Sequence, residues 1–266
     1  MGALTTEQTE TFRKEGYLIF ESFFSPDECA AVKADIDTLE AARRGGGPVL
    51  WPAEYPHLGS LISEPRVMDL VEAVMGPGFA FHHLHAVRQD AGAPGVNWHQ
   101  DYEQFPHSNR SHTMVHLFYY FNGLNGEIGD LLVLPRTQKT IVDNGSLWHL
   151  GTADLPGTVV VDRLPPGSMV MVHSAVWHAR RPKPGGEETP RYFADSSYCQ
   201  AGIRWPAYGN KRWQEMLDCA RAAGLERGGV YAHLFDEAHF FDDLKGRAML
   251  QAAQGSLILD TKGWEE

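Results

Sequence analysis

Three residues of this chain could together hold a metal ion: His99, Asp101 and the more distant His178. In an extended strand, residues two apart point to the same side, so His99 and Asp101 can present an imidazole and a carboxylate together. A second imidazole from His178 completes a set of two histidines and one carboxylate. This set covers one face of an Fe(II) ion and leaves the other face open, as in iron enzymes that activate oxygen.

His173 is an alternative third ligand. It lies five positions before His178, so on one continuous strand the two side chains would point to opposite sides. His173 continues the apolar run 169–172, which is typical of a hydrogen-bonded core histidine. His178 follows Trp177 and begins a new extended run, which favours it as the ligand.

Basic and aromatic residues near this set suggest anion recognition. Arg191 stands at the start of an alternating run and is expected to point inward towards an anion. The same neighbourhood predicts a small organic substrate with an anionic group, although such aromatics more commonly belong to a core. The candidate substrate contacts are Arg88, Trp98, Tyr102, Phe105, Trp148 and Arg180.

Composition limits the function classes. The 266 residues are 43% hydrophobic, enough for one large domain, and the net charge of -11 disfavours a nucleic-acid partner. No apolar run approaches the length of a membrane span, and the polar first residues lack the apolar segment of a signal peptide. The three cysteines form no spaced framework, so we expect a cytoplasmic protein.

Helical patterns come first, and many short strands follow without helices between them. This order predicts a mainly β fold, a β-sandwich or double-sheet jelly roll with flanking helices. The predicted helices are 5–15, 25–39, 64–75 and 210–223. The predicted strands are 17–20, 79–89, 113–121, 131–134, 158–161, 168–172 and 191–199.

We expect one domain with three parts. These are a helical N-terminal part (about 1–76), a jelly-roll core (about 77–200) and a helical C-terminal extension (about 201–266). Aromatic residues of the extension are expected to pack on the barrel or on a second chain in a homodimer. They are Tyr231, Phe235, Phe240 and Phe241.

Four segments within about 12–200 resemble, in order and spacing, the phytanoyl-CoA dioxygenase family of Fe(II)/2-oxoglutarate oxygenases. They are GYLIFESFFSPDECAAVKADID, WHQD, LLVLPRTQK and GSMVMVHSAVWHARR followed by PRYFAD. The resemblance implies a double-stranded β-helix of the cupin type, with His99, Asp101 and His178 as iron ligands. It implies that 2-oxoglutarate and O2 are co-substrates, with Arg191 at the distal carboxylate. It also implies a co-substrate pocket lined by Gln100, Leu84 and either His116 or Phe118.

The chain departs from the family pattern in the segment between His178 and Arg191. It has no asparagine there and the gap is slightly longer, so Arg180 is an alternative partner for the co-substrate. Asp101 stands where related halogenases lack a carboxylate, so the resemblance implies hydroxylation or another oxidation.

Two other function classes stay open. One is a cupin-like iron dioxygenase that does not use 2-oxoglutarate, which the absence of succinate release would identify. The other is a non-catalytic sugar- or anion-binding jelly roll, which stoichiometric iron binding would exclude.

Overall fold

The computed structural model describes residues 4–45, 48–104, 110–141, 145–183, 189–208 and 212–242. Its helices are α1 (Thr6–Glu15), α2 (Pro26–Gly45), α3 (Pro56–Ser60), α4 (Pro65–Met75) and α5 (Trp213–Ala222). Its strands are β1 (Tyr17–Phe20), β2 (Phe79–Gln89), β3 (Val96–His99), β4 (Met114–Tyr120), β5 (Leu124–Asn125), β6 (Leu131–Leu134), β7 (Val159–Val161), β8 (Arg163–Leu164), β9 (Ser168–His173), β10 (Trp177–Arg180), β11 (Arg191–Gln200), β12 (Trp205–Pro206) and β13 (Phe240–Phe241). None of the helices in these ranges is long and apolar enough to cross a bilayer.

Two antiparallel sheets form a jelly roll of the cupin type. The major sheet has the order β1-β9-β4-β11-β2, and the minor sheet has the order β3-β10-β6-β7. Between them lies a hydrophobic cluster that includes Phe118 and Val172 of the major sheet and Leu131 and Val133 of the minor sheet. The predicted fold class is confirmed.

Helices cover the outer face of the major sheet. Ile36 of α2 and Val67 of α4 are fully buried in one cluster with Leu117 and Tyr119 of β4. Because both faces of this sheet are covered, every residue of β4 is buried and its sequence does not alternate.

The N-terminal part contributes a strand as well as helices. Thr5 caps α1 in a capping box with Gln8, and Gly16 ends the helix with φ 85°. A Cβ at Gly16 would collide with the side chain of Val176, so only glycine allows this close turn. The chain then enters the major sheet, where β1 pairs with β9. The expected helical part therefore shares a sheet with the expected core.

Most predicted elements lie where the sequence patterns placed them. β2 and β6 have the expected bounds, whereas α2 extends to Gly45, beyond the expected end at Leu39. Ser25 caps α2, since its hydroxyl accepts from the Glu28 N–H and the Glu28 carboxylate accepts from the Ser25 N–H.

Candidate active site

Strand pairing brings His99 and His178 together. β3 and β10 are antiparallel neighbours in the minor sheet, and His99 lies directly opposite His178 in their register. The centroids of the two imidazole rings are 4.3 Å apart. Asp101 follows the end of β3, and its backbone N–H donates to the Ser174 carbonyl at 2.8 Å. The expectation that one strand carries both His99 and Asp101 is wrong, because a chain segment beyond β3 aims the carboxylate.

Backbone carbonyls orient both imidazoles. His99 Nδ1 is 2.6 Å from the carbonyl oxygen of Asn97, and His178 Nδ1 is 3.1 Å from that of Val176. Because a carbonyl only accepts, each Nδ1 carries the hydrogen and each neutral ring keeps a lone pair on Nε2. His178 Nε2 lies 3.0 Å and His99 Nε2 lies 3.4 Å from the Asp101 oxygens. These donors could bind one metal ion.

The electrostatics of the three side chains favour a cation. In the metal-free site, where hydrogens on the two Nε2 atoms would point at the carboxylate, burial alone would raise the pKa of Asp101, but the charges of His178 and His116 and hydrogen bonds from His178 and His99 hold it well below its usual range. Burial alone would lower the pKa of His99, but Asp101 raises it. An ionised carboxylate beside two imidazoles is a donor set that suits Fe(II).

A cavity of about 230 Å³ lies between the sheets and is lined by these three side chains. Phe118, Tyr120 and Phe193 form an aromatic wall of this cavity. The ring centroid of Phe118 is 5.4 Å from that of His178 and 5.6 Å from that of Phe193. The aromatic wall therefore begins at the metal-binding side chains.

Two arginines line the same cavity. Arg191 is 3% exposed, and its guanidinium carbon lies 4.4 Å from the ring centroid of Phe193. Arg191 Nη1 donates to Gln89 Oε1 at 2.9 Å. Arg180 Nη1 donates to the same oxygen, and Arg180 Nη2 donates to the Pro94 carbonyl at 2.8 Å. Burial and the charge of Arg191 lower the pKa of Arg180 to about 10.

Neither guanidinium forms an ion pair with a described residue. Arg191 Nε is buried without a hydrogen-bond partner among them. Arg180 and Arg191 are two positive charges largely removed from water, and they share a single amide oxygen as acceptor. An anion bound in the cavity beside them would therefore be strongly favoured. Arginine also binds carboxylates through two parallel hydrogen bonds. This part of the cavity is therefore suited to a carboxylate.

The family model described as phytanoyl-CoA dioxygenase (PhyH) matches residues 12–183. The match covers the strands that carry His99 and His178 and the segment after β3 that carries Asp101. This chain belongs to the phytanoyl-CoA dioxygenase family. The match ends before Arg191, so the family model does not cover the arginine that is expected to bind the co-substrate.

The curated proteins to which this chain is similar are named as dioxygenases. A probable alpha-ketoglutarate-dependent hypophosphite dioxygenase from Stutzerimonas stutzeri is 26% identical over 155 residues, which are 50% of this chain and 53% of that protein. Ectoine dioxygenase from Bordetella parapertussis is 25% identical over 118 residues, 38% of each protein. The alignments thus span about half the length of these relatives or less.

Solved structures with the same fold include EctD from S. alaskensis with bound Fe, at a TM-score of 0.61 and 17% identity. The likeness covers 77% of this chain and 80% of that chain. HygX from Streptomyces hygroscopicus with nickel and 2-oxoglutarate bound has a TM-score of 0.60 and 18% identity. It covers 76% of this chain and 89% of that chain. At these identities the likeness concerns the fold.

Several other candidate residues of this family member lie away from the cavity lining. Trp98 is fully buried, and its Nε1 donates to the Ala153 carbonyl at 2.8 Å. Tyr102 is fully buried and stacks on His173. Arg88 binds the carboxylates of Asp37 and Asp90. These three side chains make structural contacts and do not line the cavity.

Of the remaining candidates, some make structural contacts and one lies near the metal-binding side chains. Leu84 is buried in the core, and Gln100 donates to the Ala175 carbonyl at 2.5 Å. Trp148 is 52% exposed, with its ring 6.3 Å from that of His99, so it lies near the metal-binding side chains. Phe105 lies outside the described residues.

The competing ligand His173 is separated from the three metal-binding side chains. Its ring stacks between Phe12 and Tyr102, and its Nδ1 accepts from the Ala175 N–H at 3.1 Å. His173 is therefore the hydrogen-bonded histidine that its apolar context indicates.

Gln89 and Asp195 are cavity residues that the sequence did not predict. Gln89 became recognisable only when the register placed it opposite Arg191. Asp195 had a signal, because it lies four residues after Arg191 and therefore on the same face of β11.

Proposed function

We propose that this protein is a non-haem Fe(II)- and 2-oxoglutarate-dependent dioxygenase. The observation that carries the proposal is one cavity lined by His99, Asp101 and His178 and by the guanidiniums of Arg180 and Arg191, which form no ion pair with a described residue. A chelating dicarboxylate needs both features at once. Membership of the phytanoyl-CoA dioxygenase family supports the same activity.

His99, Asp101 and His178 would hold the iron from one side. Their Nδ1 hydrogen bonds to backbone carbonyls fix which nitrogen of each imidazole faces the ion. Iron, with 2-oxoglutarate and O2, supplies oxidation of an unactivated C–H bond with release of succinate and CO2. The protein supplies position and keeps bulk water out.

Arg191 would bind the distal carboxylate of 2-oxoglutarate. Gln89 holds its guanidinium in place, and Phe193 and Tyr120 pack against it, so little freedom is lost when the carboxylate binds. Arg180 shares Gln89 and adds a second positive charge. Phe118 would line the co-substrate site between the arginines and the metal-binding residues.

The substrate is proposed to be a small organic metabolite, and the reaction a hydroxylation. We further propose a cytoplasmic enzyme without a nucleic-acid or membrane partner. Homodimer formation stays a prediction that the elution volume of the purified protein would test.

Succinate release tests the proposed activity. The purified chain is expected to convert 2-oxoglutarate to succinate only when Fe(II) and O2 are both present, and a chelator should stop the reaction. Stoichiometric iron binding without succinate release would instead support a cupin-like iron dioxygenase. Failure to bind iron would support a non-catalytic jelly roll.

A further inference from the structure

A second group of two histidines and one carboxylate lies on the opposite sheet. His83 of β2 and His116 of β4 both pair with Ser197 of β11, and Asp195 lies two residues away on the same face. The ring centroids of His83 and His116 are 5.5 Å apart. We call His83, His116 and Asp195 the major-sheet cluster. Asp195 also lines the cavity that contains the metal-binding residues.

A chain of hydrogen bonds sets the tautomer of His83. His82 Nε2 lies 3.0 Å from the Pro206 carbonyl, which only accepts, so this nitrogen carries the hydrogen. The other nitrogen of a neutral His82 then has a lone pair, and it lies 2.9 Å from His83 Nδ1. His83 Nδ1 therefore carries the hydrogen in this arrangement, and the Ser197 hydroxyl, 2.9 Å away, can accept it as well. In its neutral form His83 presents a bare lone pair at Nε2.

This lone pair faces a carboxylate that lacks a donor. His83 Nε2 is 3.9 Å from Asp195 Oδ2, too far for a hydrogen bond. Asp195 Oδ1 is buried and has no hydrogen-bond partner among the described residues. Asp130 Oδ1 is buried without such a partner as well, but the charge of that carboxylate is compensated, because its Oδ2 binds Arg181 at 3.0 Å. Two acceptors that face each other are unfavourable unless a proton donor or a cation lies between them.

The spacing distinguishes between occupants. Adjacent ligands of one transition-metal ion lie about 3.0–3.5 Å apart, given bonds of about 2.0–2.2 Å. The first set matches this spacing with 3.0 and 3.4 Å. Acceptors that share an ammonium nitrogen lie about 4.0–4.6 Å apart, given hydrogen bonds of about 2.8 Å. The 3.9 Å separation in the major-sheet cluster is closer to the second case.

We propose that the major-sheet cluster binds an ammonium group of the organic substrate. The inference deepens the proposed dioxygenase function and depends on it. A primary ammonium brings the positive charge that Asp195 lacks and N–H groups for the bare nitrogen of His83. A hydroxyl brings one donor and no charge, so it would leave the carboxylate uncompensated.

The position of Asp195 suits substrate binding beside the iron. It projects from the major sheet into the cavity whose opposite wall carries His99 and His178. Arg191 lies four residues away on the same strand, about 13 Å at the rise of an extended chain. The ammonium site is thus separated from the carboxylate end of the co-substrate. The proposed substrate thus carries an amine, and the anionic group expected from the sequence stays a prediction.

Matched probes test the inference on the full-length protein loaded with Ni(II) and 2-oxoglutarate, a complex that does not turn over. Cyclohexylamine, cyclohexanol and cyclohexanecarboxylate share a ring and differ in the recognised group. Calorimetry would measure their binding to the wild type and to Asp195→Asn, which removes the charge and keeps the shape. Asp90→Asn is the control, since it neutralises a carboxylate that Arg88 binds just beyond the end of β2 and that does not line the cavity.

The amine is expected to bind the wild type at least about 30-fold more tightly than the alcohol, since a charge-assisted hydrogen bond is about twice as strong as a neutral one. Asp195→Asn should remove most of this preference, and Asp90→Asn should retain it. Equal binding of the three probes, no binding of the amine, or an unchanged preference in Asp195→Asn would overturn the inference. If Asp195→Asn fails to fold, the wild-type preference alone decides.

Two further results separate the alternatives. Two equivalents of Ni(II) in the wild type and one in Asp195→Asn would mean that the major-sheet cluster binds metal, which overturns the ammonium site. Failure of the Ni(II) protein to bind 2-oxoglutarate would remove the proposed function and this inference together. Normal 2-oxoglutarate binding without an amine preference would remove the inference alone.

Discussion

The described part of the chain contains two clusters of the same composition, two histidines and one aspartate, one on each sheet. Both aspartates line the same cavity. On the minor sheet, Nε2 atoms lie 3.0 and 3.4 Å from the Asp101 carboxylate. On the major sheet, the corresponding distance from His83 to Asp195 is 3.9 Å. The residue types alone therefore do not determine what a cluster binds, because separation and orientation differ.

The pKa values of the two aspartates also differ. Burial would raise the pKa of both carboxyls, but neighbouring imidazoles lower that of Asp101 well below its usual range. The pKa of Asp195 is raised well above its usual range by burial and by the charge of Asp101. Asp101 is stabilised as an anion by its own neighbours. Asp195 has no lysine or arginine partner among the described residues, so it needs a bound cation or takes up a proton.

The largest expected effect separates the two carboxylates. Asp101→Ala should abolish stoichiometric iron binding and lower succinate production by more than about 100-fold. This loss is larger than the roughly 10–100-fold that follows when a residue hydrogen-bonded to a metal ligand is removed. Asp195→Asn should keep one equivalent of iron, because it leaves all three ligands of the minor sheet in place. Metal analysis and succinate assays of both variants measure this difference. Full succinate production by Asp101→Ala would refute the metal assignment.

The next effect concerns the co-substrate. Arg191→Ala should raise the 2-oxoglutarate concentration needed for half-maximal turnover by roughly 30-fold to several thousand-fold, since loss of a buried bidentate partner costs about 2–5 kcal/mol. The requirement for substrate should change far less. Kinetics with each reactant varied in turn measure both values, with the exposed Arg13→Ala as the control. An unchanged 2-oxoglutarate dependence would move the role to another residue.

Arg180→Gln sharpens the assignment of the arginine. Arg180 keeps two hydrogen-bond partners of its own, Gln89 and the Pro94 carbonyl, and is less buried than Arg191. We expect the 2-oxoglutarate requirement to rise by about tenfold or less, as for a partly exposed charge. The same kinetic measurements compare the two variants. A larger effect for Arg180→Gln than for Arg191→Ala would reverse their roles.

The sequence predicted the set of His99, Asp101 and His178 because two of its three members are close along the chain. His99 and Asp101 are two residues apart, and the extended run after Trp177 singled out His178. The helices and most strands followed from capping residues and from turn residues between apolar runs. The position of Arg191 as the first residue of a strand was predicted in the same way and agrees with β11.

The major-sheet cluster has no comparable signal in the sequence. His83, His116 and Asp195 come from three separate strands, and only the pairing of β2, β4 and β11 brings them together. Three of the predicted substrate contacts, Arg88, Trp98 and Tyr102, lie outside the cavity lining for a related reason. Aromatic residues such as Trp98 and Tyr102 follow the same patterns whether they line a cavity or fill a core, and the packing of the sheets decides between them.

The smallest expected effect concerns the stability of the fold at low pH and involves His173, which belongs to neither cluster. Burial and the charge of Arg110 lower the pKa of His173 from 6.5 to about 4. The unfolded chain therefore binds a proton here more readily, so this histidine contributes stability above pH 6.5 that is lost as the pH falls towards 4. His173→Gln keeps an acceptor for the Ala175 N–H but does not titrate in this range. Between pH 6.5 and pH 4, we expect the melting temperature of this variant to fall by about a few degrees less than that of the wild type. Equal slopes would show that other groups, such as His116 with its pKa of about 4, account for the acid sensitivity.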